Sequence, residues 1–192
     1  MEANIYKAPE AELSTPEFDQ SKFYVVSDKK FLILFISTLG MYSLYWFYQN
    51  WKSYSEFNNE NIMPFWRAVF SIFFTHSLFK KLYQRAKEEN DSHDFNHSAM
   101  ATLYVILSIS STITDNLATN GIGLPFTEWG GYIALIFYVF IFRKAQITSN
   151  IASCDPQGES NNSLSFANFI WIFIGLCLWA VMIFSYIAQE QF

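Results

Sequence analysis

The side chains able to do chemistry in this sequence are few, and most of them lie inside apolar stretches. Asp91, His93, Asp94 and His97 are the one group with metal-ligand types, and His93 and His97 stand at the i, i+4 spacing that can share an ion. The run DSHDFNH, however, falls where a helix-to-helix turn calls for Asp, Asn and Ser, and no cysteine lies near it. A turn is the expectation, with no metal and no cofactor. Ser108, Ser111, Thr112 and Asp115 recur at i, i+3, i+4 and i+7, on one face of a helix that Tyr104 extends. Ser71 and Thr75 do the same one segment earlier, behind Arg67 and just before His76. In a bilayer such hydroxyls join helices by close packing and hydrogen bonds, so a polar seam of Ser71, Thr75, His76, Ser108, Ser111 and Thr112 is expected. The alternative is the wall of a polar path.

Arg67 and Asp115 are the opposite charges expected at one depth of adjacent antiparallel segments, and an ion pair between them is predicted, as a clamp and not a catalytic dyad. Catalytic motifs do not appear. There is no G-x-S-x-G, H-E-x-x-H or phosphate-binding loop, and Ser71 and His76 at i, i+5 do not face each other as nucleophile and base. The expected protein is not an enzyme. Cys154 and Cys177 have no metal-type spacing.

The elements that position these residues are apolar helices. Of 192 residues 52% are hydrophobic and 20% aromatic, while 15% are charged against about 25% in soluble domains. Phe31 to Phe47 carry no charge, Lys29 and Lys30 precede them, and Tyr42, Tyr45, Trp46, Phe47, Tyr48 and Trp51 crowd the far end as an interfacial belt. Further spans are predicted over 64–80, starting at Pro64, and over 99–115, 128–142 and 166–187. The fold class is thus all-α: a polytopic transmembrane helical bundle of about five spans, 31–48 being the first. Residues 1–28 read as a flexible acidic cytoplasmic tail, residues 29–192 as the transmembrane domain, and residues 147–165 as a flexible polar loop. Residues 64–80 are the span with the strongest competing reading, a re-entrant or interfacial segment.

Five spans with the N-terminus inside put Lys7, Lys22, Lys29, Lys30, Lys80, Lys81, Arg85, Lys87, Arg143 and Lys144 in the cytoplasm and leave Lys52 and Arg67 outside. A net charge of −5 argues against nucleic acid as a partner.

Two stretches carry a resemblance. Asn4-Ile5-Tyr6-Lys7-Ala8-Pro9-Glu10-Ala11-Glu12-Leu13 resembles the N-x-Y-x-(A/P)-P-x-A-x-L leader of small inner-membrane proteins of Gram-negative bacteria, with Ile5 where that leader has Pro. Thr38-Leu39-Gly40-Met41-Tyr42-Ser43-Leu44-Tyr45-Trp46-Phe47-Tyr48-Gln49-Asn50-Trp51-Lys52 is similar to the T-L-G-x-Y-x-x-Y-W-F-Y-x-N-W-K segment of uncharacterised bacterial membrane families. The resemblance implies a bacterial inner (cytoplasmic) membrane and no particular activity. The expected function is a non-enzymatic accessory or interaction protein, with the lipid bilayer and a membrane or cytoplasmic protein as partners. The alternative is a small transporter or channel-like protein with its path along the second and third spans.

Overall fold

The computed structural model describes residues 22–189, all helix and connection among those residues, with no strand. The seven α-helices are α1 (Asp28–Ser37), α2 (Tyr42–Asn58), α3 (Pro64–Val69), α4 (Ser71–Glu89), α5 (His97–Thr119), α6 (Gly130–Ala152) and α7 (Phe166–Gln189). Two of them, α6 and the stretch Phe166–Ser185 of α7, are long and apolar enough to cross a membrane.

The expected first span, 31–48, is not one helix. The chain stops at Thr38 and restarts at Tyr42, and the stop is a complete Schellman cap. Gly40 N–H donates to Phe35 O at 2.9 Å, Leu39 N–H donates to Ile36 O at 3.2 Å, and Leu39 (φ 53°) and Gly40 (φ 80°) both lie in the left-handed region. Thr38 is buried and serves both sides of the break. Its hydroxyl donates to Leu34 O at 2.7 Å and accepts from Tyr42 N–H at 3.1 Å. An uncharged run allows a helix to continue but does not force it, and the Thr-Leu-Gly triplet ends this one. At about 1.5 Å per residue, ten-residue α1 reaches only about 15 Å.

The second expected span, 64–80, is also interrupted. Pro64 opens α3 as predicted, but the helix breaks at Phe70, so α3 lies on α2 while α4 runs on through Glu89. Expected spans 99–115, 128–142 and 166–187 fall within α5, α6 and α7, which are unbroken. Asn96 caps α5, its Oδ1 accepting from Ala99 N–H at 3.0 Å.

The core is aromatic. Trp46, Phe47, Trp51, Phe79 and Phe142 are at most 1% exposed and pack α2 against α4 and α6, Phe142 meeting Trp46 and Phe47 edge-on at 5.3 and 5.5 Å. Across the outside of α5, α6 and α7 the reverse holds. Ile106, Ile113, Ile136, Phe140, Phe173, Val181 and Phe184 are all exposed, and large apolar side chains displayed together in this way mark a membrane or interaction face.

α7 touches the rest at one close crossing. A Cβ on Gly175 would stand 2.1 Å from Ser37 O, so only glycine lets α7 rest on the end of α1. Trp179 Nε1–H donates to Ile36 O at 3.1 Å there, serving a carbonyl of the last turn.

Candidate functional site

Part of the expected seam assembles at the junction of α4, α5 and α6. The Ser71 and Tyr104 hydroxyls share a hydrogen bond at 2.8 Å, and Thr75 donates to Ser71 O at 2.6 Å. Tyr138 donates to Ser108 Oγ at 3.2 Å, and Ser108 donates in turn to Tyr104 O at 2.8 Å. His76 Nε2 meets Thr102 Oγ1 at 3.1 Å, on the exposed side of the same helix pair. Ser111 and Thr112 fall outside the junction: Thr112 turns back to Ser108 O of its own helix, and Ser111 O accepts from Thr114. Tyr138 is the member that sequence reasoning missed, because it stands alone in an apolar run.

The expected Arg67–Asp115 pair does not form. No ion pair among the described residues includes either. The register of α4 on α5 and the break at Phe70 together keep them apart. Ser71 lies opposite Tyr104, and eleven further residues of α5, about 16 Å of helix, separate Tyr104 from Asp115 while α3 turns away onto α2. Arg67 instead stacks on aromatic rings, its guanidinium carbon 4.4 Å from the Trp51 ring and 5.3 Å from Phe74. Asp115 borders a groove of about 650 Å³ between the ends of α5, α6 and α7, shared with Thr119, Glu128, Trp129, Tyr132 and Ser185.

The acidic-histidine cluster also separates. His93 Nε2 bonds Thr148 Oγ1 at 3.0 Å; that hydroxyl already donates to Lys144 O, so the imidazole N–H is the donor. The His97 ring lies 5.0 Å from Tyr83. Among the described residues no three His, Cys, Asp or Glu side chains come together to hold a metal. Burial lowers the pKa of both histidines, with Asp94 opposing and Lys144 adding to the effect at His93, and Lys80 and His76 adding to it at His97.

The largest polar constellation lies where flexible tail and loop were expected. Residues 22–27 form a buried extended strap, Val26 fully enclosed, held by side chains of α6 and α2 in place of a neighbouring strand. Gln146, Ser149, Asn150 and Ser153 stand at i, i+3, i+4 and i+7, and α6 continues as helix through the first three of them. Ser153 Oγ accepts from Phe23 N–H at 3.0 Å and donates to Phe23 O at 3.1 Å. Tyr24 O accepts from Gln146 at 3.0 Å and from Ser149 at 2.8 Å, while Tyr24 N–H reaches Asn50 Oδ1 at 3.3 Å. Trp46 Nε1–H donates to Gln146 Oε1 at 2.5 Å. Asn161 donates to Val25 O at 2.8 Å and accepts from Lys30 Nζ at 2.6 Å. Burial pushes the Tyr24 phenol up to about 12, against the opposing bond from Tyr42.

Both expectations are therefore corrected: residues 22–27 are core, and residues 147–152 are helix. A polar residue reads as loop until its i, i+3, i+4, i+7 spacing is counted, and that stripe was the available signal. The leader 4–13 and the rest of the expected tail, 1–21, lie outside the described residues.

None of these groups forms a nucleophile–base pair. The constellation's amides and hydroxyls are committed to backbone and to one another, which makes it a device for holding the chain together. No protein-family model matches the chain, and neither a curated protein nor a solved structure matches it.

Proposed function

We propose that this chain is a multi-pass protein of a bacterial inner membrane that works without catalysis, as an accessory or interaction protein. One observation carries the reading: the hydroxyls of the α4–α5–α6 junction are bonded to one another and to backbone, Ser71 with Tyr104 and Tyr138 with Ser108, so the seam is occupied by its own contacts. A path would need such groups to face an opening.

The threading we favour has three crossings in place of five, α5 joining α6 and α7, the two helices long and apolar enough to cross. α1 and α2 then enter the membrane and return to the same side, as do α3 and the apolar start of α4. The N-terminus stays inside and the C-terminus outside. Support comes from the cations: Lys52 and Arg67, the two exceptions under five crossings, join the remaining Lys and Arg on the cytoplasmic side, and no basic residue is left on the other. On that cytoplasmic side a partner would meet the charged end of α4 and the turn after it, where Lys87, Glu88 and Asp91 are exposed.

The test is affinity purification of the full chain in mild detergent with mass spectrometry of what accompanies it. A stoichiometric protein partner is expected. The alternative, a small transporter or channel-like protein, draws on the groove beside Asp115 and Glu128. A chain that purifies alone and carries cations across reconstituted vesicles would replace the first reading with the second.

A further inference from the structure

Arg67 is a cation for which the described residues supply no anion. None of their ion pairs includes it, and from Asn61 to Lys87 the sequence holds no Asp or Glu at all. The side chain is nevertheless not loose. Its guanidinium lies against the rings of Trp51, which is fully buried, and Phe74, so the group rests on a fixed platform. Trp51 Nε1 is itself buried without a hydrogen-bond partner, which places a second unused donor in the ring that Arg67 covers.

The surroundings are apolar and open. Met63, Phe65, Trp66, Val69, Phe70 and Phe73 are between 44% and 76% exposed, on and around a six-residue helix too short to cross anything. Aromatic side chains so displayed, with a cation among them, match the boundary between hydrocarbon and headgroups. A guanidinium held there presents its fork of N–H donors to the one anion every phospholipid carries at that depth, the phosphodiester.

We propose that Arg67, stacked on Trp51 and Phe74, binds the phosphate of a membrane phospholipid at the cytoplasmic face. Anionic phosphatidylglycerol is favoured over phosphatidylcholine, whose ammonium competes for the same phosphate. The inference rests on the membrane reading above.

Native mass spectrometry of the full-length chain, released from micelles doped with phosphatidylglycerol, tests it. Arg67→Gln is expected to weaken retention of one lipid about tenfold, and Arg67→Lys, which keeps the charge and loses the fork, about threefold. Unchanged retention in Arg67→Gln overturns the site. Should Arg67→Gln fail to fold, Arg67→Lys and Trp51→Phe decide in its place, and wild-type retention in both overturns it. Millimolar inorganic phosphate is expected to leave the lipid bound; displacement by it overturns the lipid as the source. Vesicle flotation separates the two claims. A chain that floats while Arg67→Gln retains lipid normally loses this site alone, and a chain that never floats loses the membrane reading with it.

Discussion

Asn150 closes both hydrogen bonds of Val26. Its Oδ1 accepts from the Val26 N–H at 3.2 Å and its Nδ2 donates to Val26 O at 3.0 Å, so one side chain of α6 does for the strap what a neighbouring strand would do. The same Oδ1 accepts from Gln146 Nε2 at 2.6 Å, which fixes the amide's orientation.

Asn150→Ala strands the buried N–H and C=O of Val26, each worth about 1–3 kcal/mol when left unpaired. A loss of about 3 kcal/mol is expected, read as a lower Tm in detergent and faster proteolysis between residues 22 and 27. Asn162→Ala, at an exposed position, serves as the control and should stay within about 0.5 kcal/mol of the parent.

Gly175→Ala should lift α7 from α1. The added methyl meets backbone at Ser37 and Thr38, which cannot step aside as a flexible side chain would. A cost of about 1–3 kcal/mol follows, read as a lower Tm in detergent. Thermal unfolding unchanged from the parent would show that the helices do not touch there.

Single cysteines at Asn61, Asn120 and Ser160, in a chain lacking Cys154 and Cys177, separate the threadings. Three crossings put residues 61 and 160 on one side of the membrane and residue 120 on the other. Five crossings put 61 with 120. Labelling of intact cells and of inverted vesicles with an impermeant maleimide reads the answer.

His93 predicts a pH effect. Burial, its largest cause, holds the imidazole below its ordinary value of 6.5, so the unfolded chain takes up a proton at a higher pH than the folded one does. Its contribution is complete above 6.5 and is lost as the pH falls through the lowered value, and His97 acts in the same direction. Stability measured from pH 7.5 to 5 should decline, and His93→Asn with His97→Asn should flatten that decline.

Glu89 adds a loss at lower pH. The bond from Lys22 Nζ, at 2.6 Å, holds its carboxyl below the usual value of 4.5. That contribution is present above 4.5 and disappears as the pH falls through the lowered value, and Glu89→Gln should remove this second decline and leave the first.

Composition and charge were enough to determine an all-helical chain with apolar faces turned outward, the start of α3 at Pro64, and the long stretches that became α5, α6 and α7. These follow from local properties: helical period, proline geometry and the scarcity of charge. What the tertiary structure decided depends on partners distant in the chain. The break at Thr38 to Met41 has a local half, the cap in which Thr38 serves both helix ends, and a distant half, Trp179 serving Ile36 O from 143 residues away. The strap is core because Gln146, Ser149, Asn150 and Ser153 offer backbone partners to residues with no strand beside them. Arg67 and Asp115 stay apart because Ser71 sits opposite Tyr104, eleven residues short of Asp115, and α3 turns away onto α2. A hydrogen bond is a relation between two groups, and one line of sequence contains the groups without their distance.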